Sequence, residues 1–418
     1  MRPCFLATIG LRERLSGMDL VSPQPFWPLR NGLLSVYPAL KEDVTCDVVV
    51  LGGGISGAFV AERLTEEGLD VAVFDKRDVC AGSTSASTAL LQYEIDTSLI
   101  DLSKRIGRSD AEQAYRLCHD SITAIERLVI DLKVECVFQR RRSAYLASRP
   151  PDAAFLRDEC AARRAAGIDV EYWDEARVGA RFSFSRPAAL VSSQGAELDC
   201  HRLAHALLAR AARGGARIFD RTVVEKYEAG ADAVRLQTDR GCKILAKHAV
   251  FATGYESQEF LPRRVVKLTS TFALASEPLT EFSGWWDRCL IWETARPYIY
   301  LRTTDDNRAL VGGEDDPFRN PARRDRLVKA KTDLLATRFS EMFPAIELEV
   351  AYRWAGTFGE TKDGLPYIGQ IRQMPRCHFV LGFGGNGIVY SAIAAEIIRD
   401  ALMERPNPNA RLFQFDRQ

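Results

Sequence analysis

The feature that most constrains this chain is a glycine turn set between two short apolar runs. Val48-Val49-Val50-Leu51 has the composition of a buried strand, and Gly52-Gly53-Gly54-Ile55-Ser56-Gly57 follows it directly. An amphipathic stretch through Ala61 and Gly68 comes next, then a second apolar strand, Val71-Ala72-Val73-Phe74, ending at Asp75. A lone G-x-G-x-x-G is weak evidence, because glycine-rich turns are common. Here it closes a strand, opens a helix and is followed by an acidic residue about 20 positions on, which is the complete dinucleotide-binding unit. Gly52 allows the tight turn, Gly54 lets the backbone approach a pyrophosphate, and Gly57 lets helix and strand pack closely. The helix N-terminus offers N–H groups and a positive dipole end to phosphates. Asp75 can accept hydrogen bonds from ribose hydroxyls, and its charge repels a 2′-phosphate. An ordinary ligand-free strand–turn–helix would not need all these parts in this order.

At 418 residues the chain exceeds what one simple core spans, so two domains are expected. Hydrophobic content of 46% and charged content of 27% are those of a globular protein. Lys+Arg and Asp+Glu are each 56, and a balanced charge argues against a nucleic-acid binder. The ten cysteines include no C-x-x-C pair, which excludes the usual redox and zinc spacings. Such scattered cysteines read as small buried hydrophobes in a reducing, cytoplasmic setting. No run has the length of a membrane span. Cys4 to Gly10 is apolar but short, and Arg12, Glu13 and Arg14 follow, so it is not read as a signal peptide. Met18 is an alternative start. Residues 19–40, with Pro23, Pro25, Phe26, Trp27, Pro28 and Pro38, are expected to be extended, their aromatics packed on a domain surface.

After Asp75 comes a run of small hydroxyl residues, Gly82-Ser83-Thr84-Ser85-Ala86-Ser87-Thr88-Ala89-Leu90-Leu91. A Ser/Thr loop is usually only a loop. Placed behind an intact nucleotide fingerprint, its hydroxyls and amides can hold the rest of a long ligand. Helices are expected over 99–133, 152–166 and 201–213, the last stopped by Gly214-Gly215. Strands are expected at 144–147, 217–219, 222–227, 233–238 and 243–252, where Ala252-Thr253-Gly254 brings the chain back past the nucleotide through small residues. From 263 to 350 the pattern becomes mostly strands (265–276, 288–293, 297–303, 309–313) with a helix at 321–339. Near the end, a strand at 377–381 runs into Gly382-Phe383-Gly384-Gly385-Asn386-Gly387 and a helix over 388–403. No second strand and acidic residue follow, so this is not a second dinucleotide site. It is read as a helix pointing its N-terminus at the far end of the same ligand.

Together these motifs resemble the D-amino-acid-oxidase-like FAD enzymes, the relatives of glycine oxidase and sarcosine oxidase, over residues 45 to 404. The markers are the fingerprint with Asp75, the Gly82–Leu91 loop, Ala252-Thr253-Gly254, Trp354-Ala355-Gly356, Asp363-Gly364-Leu365-Pro366-Tyr367-Ile368-Gly369 and Gly384-Gly385-Asn386-Gly387. The resemblance implies an α/β plus antiparallel β fold: a Rossmann-type FAD-binding domain with a second, mostly antiparallel substrate domain. Its implied division is an extension at 1–43, a discontinuous FAD-binding domain at 44–135, 196–262 and 351–418, and a substrate domain at 136–195 and 263–350. It implies that Gly52, Gly54, Ile55, Ser56 and Gly57 bind the pyrophosphate and Asp75, with Lys76 and Arg77, the adenosine ribose. Gly82, Ser83, Thr84, Ser87, Thr88 and Leu90 would line the middle and the flavin, and Val224 the adenine. Ala252, Thr253 and Gly254 would flank the nucleotide, and Gly385, Asn386, Gly387 and Ile388 the flavin ring. The implied chemistry is oxidation of a C–N bond of an amine or amino acid by hydride transfer to flavin, with oxygen or another acceptor taking the electrons. A small-molecule substrate, no nucleic acid, no membrane span and no metal are expected.

Two departures matter. Glycine and D-amino-acid oxidases carry an arginine just after Trp-Ala-Gly that clamps the substrate carboxylate, where this chain has Thr357 and Phe358. Sarcosine oxidases carry a flavin-linked cysteine there, and no cysteine occurs between Cys289 and Cys377, so the FAD is expected to be noncovalent. The missing arginine leaves open a non-catalytic or electron-transfer subunit of a larger amine dehydrogenase. A flavin-dependent modifier of RNA is disfavoured by the neutral charge. Pro297-Tyr298-Ile299-Tyr300-Leu301-Arg302 reads as a strand, so Tyr298, Tyr300 and Arg302 share one face. If that face walls the pocket, Arg302 replaces the clamp and the two tyrosines orient the amine. His201 and His205, at i, i+4, are read as capping or surface residues rather than metal ligands, and Trp285-Trp286 as packing.

Overall fold

A computed structural model of the chain describes residues 19–417; Cys4–Gly10 and Met18 lie outside them. Two sheets carry the fold. The first runs, edge to edge, Tyr367–Ile371, Met374–Leu381, Lys243–Phe251, Val44–Leu51, Val71–Phe74 and Arg217–Phe219. All its pairings from Met374–Leu381 to Arg217–Phe219 are parallel. Tyr367–Ile371 adds an antiparallel edge, and the hairpin Val224–Ala229/Val234–Thr238 folds back onto Lys243–Phe251. The central strand is a near-continuous apolar run because both its faces are covered. Val48 and Val50 face the helices Ile55–Glu66, Cys200–Arg213 and Gly387–Leu402, while Val49 and Leu51 face Phe251, Phe379 and Phe260.

The register brings the functional turns to one edge. Leu51 lies level with Phe74 and Phe251, so Gly52, Asp75 and Ala252 leave the carboxyl ends of three adjacent strands together. In open α/β sheets that edge is where ligands bind. Gly52 N–H donates to the Phe74 carbonyl at 2.8 Å, and Ala252 N–H to the Leu51 carbonyl at 2.8 Å.

The second sheet runs Val350–Glu360, Lys267–Ser276, Ala309–Pro317, Ile299–Thr303, Leu290–Glu293, Gln139–Leu146, Ala188–Glu197 and Leu90–Gln92, with Glu171–Asp174 also paired to Ala188–Glu197. It is antiparallel except where Leu290–Glu293 meets Gln139–Leu146. The helix Pro321–Met342 packs Leu335, Phe339 and Met342 against one face of it. Strand pairing puts Leu90–Gln92 and Val350–Glu360 in this sheet.

The N-terminal segment departs from expectation. Phe26–Asn31 is a short helix; Pro28 falls in its first turn, where a missing N–H costs nothing. Its aromatics do not sit on a surface. Phe26 and Trp27 are fully buried, Phe26 stacks on Trp354 at 5.7 Å, and Trp27 Nε1 donates to the Ser87 carbonyl at 2.6 Å. Trp354 Nε1 donates to the Ala86 carbonyl at 2.9 Å, so two indoles brace the hydroxyl loop from behind. His201 and His205 are likewise buried rather than surface residues. Their rings lie 4.6 Å apart on one helix face, and burial pushes each down to about 4, leaving both neutral. Among the described residues no group of three or more His, Cys, Asp or Glu is placed to hold a metal, and no helix is long and apolar enough to cross a membrane.

Candidate functional site

A cavity of about 290 Å³ runs from the carboxyl edge of the first sheet to the face of the second. Its first end is built by the glycine turn. Gly52 has φ +103°, and a Cβ there would come within 2.4 Å of the Ala252 carbonyl oxygen. A Cβ on Gly57 would stand 1.8 Å from the Gly52 oxygen, so Gly57 fixes helix against turn and does not itself line the cavity. Gly54, Ile55 and Ser56 do line it. The Ile55 N–H donates to Thr84 Oγ1 at 2.9 Å, and the hydroxyls of Ser56 and Ser391 lie 2.7 Å apart, which joins the first and last helices at this point.

Asp75 is held by the turn it follows. One carboxylate oxygen accepts from the Gly53 N–H at 2.8 Å, the other from the Arg77 N–H at 2.9 Å. Burial pushes its carboxyl up to about 6 against the pull of these two bonds. Lys76 and Arg77 both pair with Glu256 at 2.8 Å, closing the rim beside Asp75. Gly82, Ser83, Thr84, Ser87, Thr88, Leu90, Val224, Ala252, Thr253 and Gly254 line the middle. Glu256 and the N-terminal pair Leu20 and Val21 also line the cavity and were missed in the sequence. The β-bridge from Val21 to Gly356 that places the pair links residues far apart in the chain, which local patterning does not reveal.

At the far end the start of the last helix meets the second sheet. Gly385, Asn386, Gly387 and Ile388 line the cavity. The Gly385 N–H donates to Asp96 Oδ2 at 2.8 Å, and Asn386 Nδ2 donates to the Glu94 carbonyl at 2.8 Å, tying this turn to the loop after Leu90–Gln92. Gln92, Glu94, Asp96, Thr271, Trp292, Tyr298 and Tyr300 line the cavity as well, and so do Thr357 and Phe358, which stand in place of the clamp arginine. The rings of Tyr298 and Tyr300 are 5.7 Å apart, and burial raises both phenols above their usual range.

Arg302 is not brought to this end, which corrects the expectation of a substrate clamp. It shares the face of Tyr298 and Tyr300, opposite the core residues Ile299 and Leu301, as strand alternation requires. The strand carries it beyond the cavity, under the Ala89 turn. There it is 2% exposed and donates to the Thr303, Ala89 and Leu198 carbonyls at 2.8–2.9 Å, with Glu197 at 3.9 Å. Its Nε and one terminal nitrogen are used in holding loops together.

The profile of the FAD dependent oxidoreductase family matches residues 47–401, and the chain belongs to that family. It is 26% identical over 371 residues to glycine oxidase of Bacillus licheniformis, covering 86% of this chain and 94% of that one. It is 24% identical over 383 residues to gamma-glutamylputrescine oxidoreductase of Escherichia coli, covering 88% and 85%. Among solved structures, glycine oxidase from Geobacillus kaustophilus superposes with a TM-score of 0.76 at 20% identity, over 90% of this chain and 99% of that one, which shares the fold. The family is FAD-dependent, and the residues present fit FAD: a glycine turn with no room for a Cβ, a helix N-terminus, and a half-buried carboxylate at the end of the second strand.

Proposed function

We propose that this FAD-dependent oxidoreductase oxidises a C–N bond of an amine or amino acid, with its FAD held noncovalently. The observation that carries the reading is a single cavity that joins the dinucleotide turn to the aromatic wall of the second sheet, lined by Tyr298 and Tyr300 as well as by the start of the last helix. Asp75 is the ribose-binding carboxylate in this reading, the Ile55–Glu66 helix start faces the pyrophosphate, and Gly385 to Ile388 border the flavin. The bound FAD supplies a two-electron acceptor. The substrate gives up a hydride from the carbon beside nitrogen and a proton from nitrogen; water then adds to the imine and releases ammonia or an amine with a carbonyl product. Oxygen or another acceptor takes the electrons.

Cys200 is the one cysteine lining the cavity among the described residues; burial holds its thiol protonated, and Sγ donates to the Thr84 carbonyl, which favours noncovalent FAD. The nine described cysteines are free and buried, in keeping with a cytoplasmic setting. The missing carboxylate clamp first left room for a non-catalytic subunit. We favour catalysis because two residues lining the far end, Glu94 and Trp292, each carry a buried polar atom, Oε2 and Nε1, that has no partner. The test is product analysis under air with a panel of amines and amino acids. Stoichiometric carbonyl and ammonia or amine support the reading, and a flavin-loaded protein that makes neither from any of them contradicts it.

A further inference from the structure

The far end of the cavity has an unusual charge. Its lining cations, Lys76 and Arg77, both belong to the nucleotide end, beside Asp75. The far end is instead lined by two carboxylates, Glu94 and Asp96, and three large rings, Trp292, Tyr298 and Tyr300. Asp315 and Glu360 stand close enough to Asp96 for burial and like charge to raise both their carboxyls. Glu94 is 4% exposed, and its Oε2 has no hydrogen-bond partner; Arg163, its nearest cation, lies 3.9 Å from the other oxygen and is shared with Glu159. The exposed guanidinium of Arg296 lies over the Tyr298 ring at 4.7 Å, outside the lining. A buried carboxylate oxygen without a donor calls for a cation or an N–H from a ligand. The rings of the same lining add cation–π attraction.

We propose that this end recognises a diamine or polyamine. One nitrogen adjoins the carbon that is oxidised, and a second, distal ammonium is held by Glu94 and Asp96 against Trp292, Tyr298 and Tyr300; no substrate carboxylate is required. The proposal rests on the amine reading above and names its substrate class.

The test is calorimetric titration of the FAD-loaded protein with 1,4-diaminobutane, n-butylamine and 4-aminobutyrate, which share a four-carbon chain and differ at one end. The diamine should bind about tenfold or more tightly than butylamine, and 4-aminobutyrate more weakly than either. Glu94→Gln and Asp96→Asn should each narrow the gap between diamine and butylamine, a ratio read within each variant and so insensitive to partial loss of folded protein. Three results overturn the proposal: 4-aminobutyrate binding as tightly as the diamine, which would make Arg296 a carboxylate anchor; diamine and butylamine binding alike; or no binding of any of the three. Anaerobic bleaching of the flavin separates the two ideas. A diamine that binds without bleaching leaves the cation site standing and counts against amine oxidation. Bleaching by glycine or another amino acid, with no diamine binding, does the reverse.

Discussion

Replacing Asp75 with asparagine tests the nucleotide end at a single atom. The carboxylate now accepts from two backbone donors, Gly53 N–H at 2.8 Å and Arg77 N–H at 2.9 Å. An amide offers one oxygen, so one donor must face an NH₂ group. Losing one charge-assisted bond in this half-buried turn should cost about 1.5–3 kcal/mol of stability. A ribose hydroxyl that donates to the same carboxylate loses a bond of the same kind, so FAD affinity should fall about tenfold to a hundredfold. FMN has no adenosine ribose, and its affinity should change far less. The wild-type carboxyl titrates near 6 in the ligand-free protein, so FAD binding should weaken as pH falls through that value and stay flat in Asp75→Asn. The assay is quenching of flavin fluorescence on titrating apoprotein with FAD or FMN, with urea unfolding in parallel. Unchanged FAD affinity, or an equal loss for FMN, would refute the ribose assignment.

Other outcomes follow from the same contacts. Gly57→Ala should abolish or badly weaken the nucleotide half, because its Cβ meets the Gly52 oxygen at 1.8 Å; Gly387→Ala should fold normally, since only Phe383 lies near, at 4.0 Å, and should lose flavin if the ring borders that turn. Flavin content and thermal melts of both variants check this. Arg302→Met should lower stability by about 1–3 kcal/mol by leaving the Ala89 and Leu198 carbonyls without their donor, while Glu197 keeps Arg141 at 2.8 Å, with KM unchanged in whatever protein folds. Asp315 is pushed up to about 7, chiefly by burial, so the folded state keeps a proton that the unfolded chain, at 3.8, has lost. The stability this gives is present at low pH and is lost as pH rises through about 7; Asp315→Asn should therefore melt higher than wild type at pH 8 and gain less at pH 5, and parallel melting curves across that range would contradict it.

The nucleotide end was legible because its parts are local. Val48 to Asp75 supplies strand, turn, helix and carboxylate in one stretch, and the parallel register does the rest. The strand Ile299–Thr303 and its alternation were legible too, yet the length of the cavity along that strand was not, and this misplaced Arg302. Where the cavity ends depends on the Ala89 turn and Leu198, more than 100 residues away in sequence. Phe26 and Trp27 were misread for the same reason: their burial is set by Trp354 and Ser87, and a proline-rich composition says nothing of long-range partners. Glu94 and Asp96 carried no signal at all. They follow a short strand whose pairing with Ala188–Glu197 leads into the loop that the last helix tethers.

In the proposed reaction a C–H bond beside nitrogen is broken as the flavin is reduced. The most direct measurement is stopped-flow anaerobic reduction of the flavin by an amine substrate and by the same amine deuterated at that carbon. Bleaching should occur with both and be slower with the deuterated amine. Bleaching at identical rates would place the rate-limiting step elsewhere, and no bleaching by any amine or amino acid, in a protein that dithionite still reduces, would contradict the account.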